Sequence, residues 1–181
     1  MPMKRYVALL RGINVGGKNK IAMTELKAGF SEIGLLEITT YLNSGNVIFS
    51  SETDDTAQLS NTITLMISDK FSLNIPVHVV LQDELHELLN HAPVWWGSDD
   101  KAVYDNLIFL MPPLSYEEFY EEIGAPQIAL EKIEPYKNAI FWSFSRKEYQ
   151  KTNWWSKTAN SRVSSLITTR TANTVKKIAY L

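Results

Sequence analysis

The chain has 181 residues, of which 45% are hydrophobic, and it contains no cysteine. This length and composition predict one compact protein or two small halves with an ample core, and the lack of thiols excludes disulfides, thiolate zinc sites and cysteine nucleophiles. The sequence shows no N-terminal secretory signal and no apolar run near the roughly 20 residues of a membrane span, so we expect a cytoplasmic protein that does not bind membranes.

The formal net charge of −2 hides an uneven distribution of charge along the chain. Residues 1–20 carry five basic side chains and no acidic one, and residues 146–181 carry eight basic and one acidic. The middle of the chain, 21–145, carries five basic and nineteen acidic side chains. Basic chain ends around an acidic middle predict a positively charged surface, although ordinary solvated charge is the alternative interpretation.

The first predicted element is a strand at Lys4–Leu10, which leads into a glycine-rich basic loop at Arg11–Lys20. A buried strand followed by glycines and basic residues offers backbone N–H groups and positive charge together, which is typical of phosphate sites. We therefore predict an anion-binding site in this loop. Its predicted ligand-binding residues are Arg11, Asn14, Gly16, Gly17 and Lys18.

The same loop matches most of the phosphate-binding motif of nucleotide hydrolases, G-x-x-x-x-G-K-[ST]. Gly12, Gly17 and Lys18 have its spacing, but Asn19 stands where the motif needs a hydroxyl for magnesium. Nucleotide hydrolysis, a non-hydrolytic anion site and a plain turn after the strand are all compatible with these residues. We favour the non-hydrolytic anion site.

The elements up to Leu81 predict the β-α-β-β-α-β order of a ferredoxin-like half. After the loop come a helix over 23–34, a strand at Glu37–Leu42, a tight turn at Asn43–Asn46, a strand at Val47–Ser51, a helix at Asp54–Phe71 capped by Asp54 or Asp55, and a strand at Pro76–Leu81. Right-handed crossovers place the third strand between the first two, which then run parallel and end at the same sheet edge. The Asn43–Asn46 turn should therefore lie beside the basic loop, which adds Ser44 and Asn46 to the predicted site.

A second run of elements repeats this plan, which predicts an α+β protein of two tandem ferredoxin-like halves with antiparallel sheets. We place the first half at 1–91, a connector at 92–105, and the second half with a C-terminal helix at 106–181. The predicted elements after the connector helix at Gln82–His91 are strands at Asn106–Met111, Gln127–Ile133 and Ala139–Phe144, a helix from Ser115 to Ile123, a turn over 134–138, a helix at Trp154–Ile167, a strand near Thr168–Arg170, and a last helix from Asn173 or Thr174 through Ile178.

A second anion site is predicted in this half by the same argument about strand ends. Two strands that end at one edge should gather basic and polar side chains at the start of the last helix, whose partial positive charge favours anions. The predicted ligand-binding residues are Arg146, Arg170 and Asn173, with Lys147 and Thr174 beside them.

Patterns typical of catalysis or metal binding are weak. His86 and His91 lie five residues apart, which on a helix turns them about 140° from each other, so they do not form the H-E-x-x-H zinc motif. His78 lies inside a predicted strand, and no serine has the context of a nucleophile elbow. We therefore expect no metal, no cofactor and no catalytic residue.

Nucleic-acid binding through the basic chain ends is an alternative function. The segment Asn153–Arg162 mixes tryptophans with basic residues, which is compatible with nucleic-acid binding, whereas core packing of Trp154 and Trp155 is the alternative. The possible partners are thus a phosphorylated small molecule or a nucleic acid. A third possibility is that the polar motifs tie the fold together and bind no ligand.

Three segments of the sequence together resemble the bacterial domain of unknown function 1697 family: YVALLRGINVGGKNK, TYLNSGNVIFSS and TTRTANTVKKIA. The resemblance covers nearly the whole chain and implies two ferredoxin-like halves in tandem. Ala22 stands where the family often has proline, and Thr171-Ala172 where it often has Asn-Trp. Because the family has no established activity, the resemblance assigns no catalytic role to any residue here.

Overall fold

The polypeptide forms eight strands and six α-helices within residues 2–181, the part of the chain that this computed structural model describes. The strands are β1 (Lys4–Leu10), β2 (Leu36–Tyr41), β3 (Asn46–Ser51), β4 (Val77–Leu81), β5 (Val103–Leu110), β6 (Glu131–Tyr136), β7 (Ala139–Ser145) and β8 (Ile167–Thr171). The α-helices are α1 (Met23–Glu32), α2 (Thr56–Phe71), α3 (Gln82–Asn90), α4 (Tyr116–Ile123), α5 (Trp154–Asn160) and α6 (Ala172–Ile178).

The strands form two four-stranded antiparallel sheets, of order β2-β3-β1-β4 and β6-β7-β5-β8. The chain divides into two compact units, one containing the residues up to Glu87 together with Lys177–Leu181, the other Leu88–Lys176. None of the helices between residues 2 and 181 combines the length and apolar character needed to cross a membrane.

In the first unit, β3 pairs antiparallel with both β1 and β2, so the ends of β1 and β2 reach the same edge, as the sequence predicts. The helices α1 and α2 cover one face of this sheet and bury Phe30, Ile63 and Ile67 against Phe49. Burial of each such side chain contributes about 1.5–3 kcal/mol. Asp55 is the N-cap of α2, since its carboxylate accepts the backbone N–H groups two and three residues ahead.

In the second unit, β5 pairs antiparallel with β7 on one side and with β8 on the other. Its core contains Phe119, Trp142 and Trp154, whose rings contact one another edge to face or at a tilt. Ser115 caps α4 as expected, because its hydroxyl accepts the Glu118 N–H at 3.1 Å.

Two predicted elements of the second unit are placed wrongly by the sequence. The strand predicted at Gln127–Ile133 is observed at Glu131–Tyr136, because the carbonyl of Gln127 accepts the N–H groups of Leu130 and Glu131 and so forms a turn first. The turn predicted over 134–138 shrinks to residues 137 and 138, with Lys137 at a φ of 52°. Pro135 is tolerated in the strand because β6 is at the edge of its sheet.

The helix predicted at Trp154–Ile167 is also wrong beyond Asn160. Ser161 is extended, a short 3-10 turn follows at Ser164–Leu166, and Ile167 already belongs to β8. The serine-rich segment offers no continuous apolar face to a helix, whereas the β-branched residues after it extend the sheet along β5. The last helix begins at Ala172, slightly earlier than predicted, and β5 begins at Val103, inside the predicted connector.

Candidate functional site

The loop after β1 folds into a small hairpin of its own. The Asn14 N–H donates to the Asn19 carbonyl at 3.1 Å, and the Lys18 N–H donates to the Val15 carbonyl at 3.0 Å. Gly16 and Gly17 between them have φ values of 58° and 75°. Two consecutive positive φ values define a type I′ turn, which favours glycine.

This hairpin is not the phosphate loop of nucleotide hydrolases. In that motif the Gly-Lys step leads directly into a helix whose N–H groups cradle the phosphates. Here Gly16 and Gly17 form the tip of the turn, Lys18 closes it by pairing with Val15, and α1 begins only at Met23. The motif spacing therefore reflects a tight turn, and the structure gives no support to nucleotide hydrolysis.

Asn14 joins the two loops that the sequence predicts to be neighbours. Its Nδ2 donates to the carbonyls of Ile21 at 3.0 Å and Asn43 at 2.8 Å, and its Oδ1 accepts the Ile21 N–H at 2.9 Å. These three bonds connect the end of the basic loop to the β2–β3 turn. The Asn14 amide is therefore committed to holding the site together.

Gly45 brings the same two loops into close contact. The Leu10 N–H donates to its carbonyl at 2.9 Å. A Cβ at this position would lie 2.8 Å from both Leu10 Cβ and Ile13 Cδ1, and the φ of Gly45 is 92°. Only glycine fits both the contact and the backbone conformation without strain.

Asn46 and Ser44 serve the β2–β3 hairpin. Asn46 is fully buried, and its Nδ2 donates to the Tyr41 carbonyl at 2.8 Å and to Ser44 Oγ at 3.2 Å. Arg11 is half-buried, its N–H donates to the Pro76 carbonyl at 3.0 Å, and burial lowers the pKa of its guanidinium. These contacts favour a structural role for Asn46 in particular.

A cavity of about 480 Å³ lies beside these loops in the first unit. Its lining residues are Asn14, Gly17, Lys20, Ile21, Ala22, Met23 and Asn43. Of the residues predicted for this site, Asn14 and Gly17 line the cavity, whereas Arg11, Gly16, Lys18, Ser44 and Asn46 lie outside its wall. Lys20 and Asn43 are the polar residues that sequence reasoning missed. The signal available for Lys20 was its place just before a predicted helix.

The N-terminus of α1 opens onto this cavity. Ala22 is the N-cap residue and makes no side-chain cap hydrogen bond, and no other side chain within residues 2–181 bonds to the N–H groups of the first turn. Such uncapped N–H groups carry partial positive charge and attract anions. Glu25 also lies in this first turn, where it approaches Lys70 at 4.0 Å.

The second predicted cluster is only partly assembled. Arg146 and Asn173 both line a cavity of about 380 Å³ in the second unit. Arg170 lies outside it, because it is buried in β8 and its Nη1 donates to Thr168 Oγ1 at 2.8 Å and to the Thr169 carbonyl at 3.0 Å. Thr174 is paired with the Thr171 hydroxyl at 3.0 Å.

Comparison with known proteins gives the family. Residues 3–141 match the family described as "Protein of unknown function (DUF1697)". The chain belongs to this family. It is also similar to the solved structure of the conserved bacterial protein SP0830 from Streptococcus pneumoniae, at 30% identity and a TM-score of 0.85, over 99% of this chain and 98% of that one. The resemblance predicted from three motifs is thus confirmed, and the search of curated proteins found no match.

Several basic side chains at the chain ends of this DUF1697 protein have partners within their own units. Several pairs illustrate this: Lys4 with Asp54 at 2.8 Å, Lys151 with Glu148 at 3.2 Å, Arg162 with Glu122 at 3.1 Å, and Lys176 Nζ with the Gly97 carbonyl at 2.6 Å. Trp154 is a core residue, and Trp155 packs on Tyr149 while 44% exposed. No observation among these contacts favours a nucleic-acid interface.

The three histidines also have structural surroundings. His78 lies in β4, and burial lowers its pKa to about 4. His91 stacks on the Tyr136 ring at 4.2 Å, and His86 stacks on Tyr180 at 4.7 Å. Between residues 2 and 181, no group of His, Asp and Glu side chains is arranged to hold a metal ion.

Proposed function

We propose that this protein binds a small phosphorylated or otherwise anionic molecule in the cavity at the N-terminus of α1. The observation that carries the proposal is an uncapped helix start that opens onto a cavity of about 480 Å³ beside a lysine. Cavities that hold small ligands usually measure about 300–1,000 Å³. The ligand would thus meet both backbone donors and a positive charge.

The lining residues have distinct roles in this proposal. The first-turn N–H groups of α1 donate to the anionic oxygens, and the exposed ammonium of Lys20 balances their charge. Gly17, without a side chain, leaves the approach to the cavity open. Asn14 touches the ligand least, because its amide positions the loop and the β2–β3 turn around the cavity.

We also propose that each of the two units is a ferredoxin-like half. Both sheets have the spatial order that the β-α-β-β-α-β plan produces, with the third strand of each set between the first and second. This supports two tandem ferredoxin-like halves. The sequence predicts a connector at 92–105, whereas the two compact units divide between Glu87 and Leu88, and Lys177–Leu181 belong to the first unit. We further propose that the protein is cytoplasmic, because its sequence has no cysteine and so cannot form the disulfides that are common in secreted domains.

Calorimetric titration with inorganic phosphate, pyrophosphate and adenosine monophosphate tests the proposed site. We expect at least one of these probes to bind, and Lys20→Glu to weaken that binding by about tenfold or more, because the substitution inverts the charge beside the anion. Lys18→Glu is the matched control, since Lys18 is exposed in the same loop but lies outside the cavity wall.

Two results would contradict the proposed function. One is the absence of binding by all three probes to the folded protein. The other is an equal effect of the Lys18 and Lys20 substitutions, which would indicate diffuse attraction. Oligonucleotide binding that falls steeply with salt and ignores Lys20→Glu would instead support the nucleic-acid alternative.

A further inference from the structure

We propose a second binding site, in the second unit, for a small zwitterion whose ammonium and carboxylate groups are separated by several bonds. The site is the cavity of about 380 Å³ at the start of β5, which we call the β5 cavity. The lining residues that carry the argument are Asp99, Asp100, Lys101, Tyr104, Asp105 and Arg146. The inference does not depend on the anion site at α1, which uses other residues.

The β5 cavity exists because β8 is shorter than β5. Strand β5 pairs with β7 from Val103 onward, but its pairing with β8 begins only at Asn106, opposite Thr171. The chain then turns into α6, so residues 103–105 extend past the end of β8. Successive side chains of a strand point to opposite faces, so Tyr104 and Asp105 flank this free edge from its two sides.

Arg146 is held in place without using its hydrogen-bond donors. Its guanidinium carbon lies 3.9 Å from the centre of the Tyr104 ring, and Tyr104 is itself packed on Phe144 at 5.4 Å. Across the described part of the chain, no protein acceptor or carboxylate pairs with this guanidinium. An exposed guanidinium that stacks on a ring and keeps its donors available is suited to a carboxylate, which it can bind through two parallel hydrogen bonds.

Asp105 provides a negative charge on the opposite side of the strand edge from Arg146. Its Oδ2 accepts the Gly97 N–H at 3.1 Å, whereas its Oδ1 is buried and has no hydrogen-bond partner among residues 2–181. A buried acceptor without a donor is unfavourable, and the negative charge of this carboxylate can be offset by an ammonium group in the cavity that Asp105 lines. Asp99 and Asp100 add two more carboxylates to the same cavity, and Lys101 adds an ammonium group.

Mixed charge decides the class of ligand. A simple anion would be repelled by the three carboxylates, and a simple cation by Lys101 and Arg146. A molecule with both charges satisfies both sides. Because Arg146 stands on the Tyr104 side of the strand edge and Asp105 on the other, the two charges of the ligand must be spaced apart, as in an ω-amino acid.

The test uses a homologous series on the full chain: glycine, β-alanine, 4-aminobutyrate and 6-aminohexanoate, with hexylamine and hexanoate as singly charged analogues. Binding is followed by NMR through the Gly97 amide, which reports on Asp105. We expect a longer member of the series to bind best, and each singly charged analogue to bind about tenfold more weakly or worse.

Two variants and one control complete the experiment. Arg146→Gln and Asp105→Asn should each weaken the best zwitterion by about tenfold, and the asparagine oxygen can still accept the Gly97 N–H and so preserve the fold. Lys147→Gln is the control, because Lys147 is exposed, adjacent to Arg146 and outside the cavity wall. This variant should leave the affinity for the zwitterion unchanged. The proposal is overturned if no member shifts the Gly97 resonance at millimolar concentration, if an analogue binds as well as the best zwitterion, or if the two variants retain full affinity while folded.

Discussion

Glu131 is a buried carboxylate that accepts hydrogen bonds from four N–H groups. Its substitution tests how much this one side chain contributes to the stability of the second unit. Its Oε1 accepts Trp142 Nε1 at 3.0 Å and the Trp154 N–H at 3.2 Å. Its Oε2 accepts the Gln127 N–H at 2.7 Å and the Asn153 N–H at 2.8 Å. One side chain, 3% exposed, therefore ties β6 to β7, to the turn before β6 and to the start of α5.

Glu131→Gln changes this arrangement without changing its size. The amide oxygen can keep two of the four bonds, but the NH₂ group faces two donors and leaves them buried without an acceptor. Hydrogen bonds to charged groups contribute about 1.5–3 kcal/mol each, so we expect the variant to lose about 3–6 kcal/mol of unfolding free energy. That is a large share of the roughly 5–15 kcal/mol that stabilises a typical domain.

Tryptophan fluorescence during urea unfolding measures this loss of stability, and its signal comes from the second unit. All five tryptophans, at positions 95, 96, 142, 154 and 155, lie within Leu88–Lys176. Glu134→Gln is the matched control, because Glu134 is an exposed carboxylate on the same strand. If both variants unfold within about 0.5 kcal/mol of the unmodified protein, the carboxylate is not the organising group and the reasoning fails.

Two further predictions concern the first unit. Gly45→Ala should destabilise the first unit by about 1–3 kcal/mol more than Gly34→Ala, because both glycines have positive φ but only a Cβ at Gly45 would meet Leu10. Amide hydrogen exchange of β1 measures the difference between the two variants. Equal protection of β1 in both would show that the contact is unimportant. Burial lowers the pKa of His78 to about 4 from 6.5, so stability should be complete above pH 6.5 and fall by up to about 3 kcal/mol as the pH drops toward 4. His78→Gln should remove that slope in pH-dependent unfolding, whereas the exposed His91→Gln should keep it.

The apolar-run and turn signals of the first unit were sufficient to predict its strands and the neighbourhood of its two loops. A continuous apolar run over Tyr6–Leu10, a Ser-Gly turn and one apolar helix face are all local properties. The role of each polar side chain is not local. Asn14 and Asn46 have the composition of a ligand site, but tertiary contacts direct their amides to carbonyls of the chain itself.

Glu131 is a residue whose structural role the sequence does not predict, just as it does not predict the roles of Asn14 and Asn46. A charged residue in an edge strand normally faces solvent, and nothing in its neighbouring sequence indicates that four N–H groups from three segments converge on it. The error in the predicted strand and the missed role of this residue have one cause. Backbone donors that become close only in the folded unit determine where β6 begins.

The two candidate sites are not copies of each other, although the two sheets have equivalent strand orders. The central strands β1 and β5 occupy the same place in their sheets. The proposed anion site lies beyond the C-terminal end of β1, where α1 begins, whereas the β5 cavity lies at the N-terminal end of β5, where β8 stops short. The repeated plan therefore explains the fold but transfers no site from one unit to the other. Each site depends on a feature that is particular to its own unit: the uncapped start of α1 in the first, and the short β8 in the second.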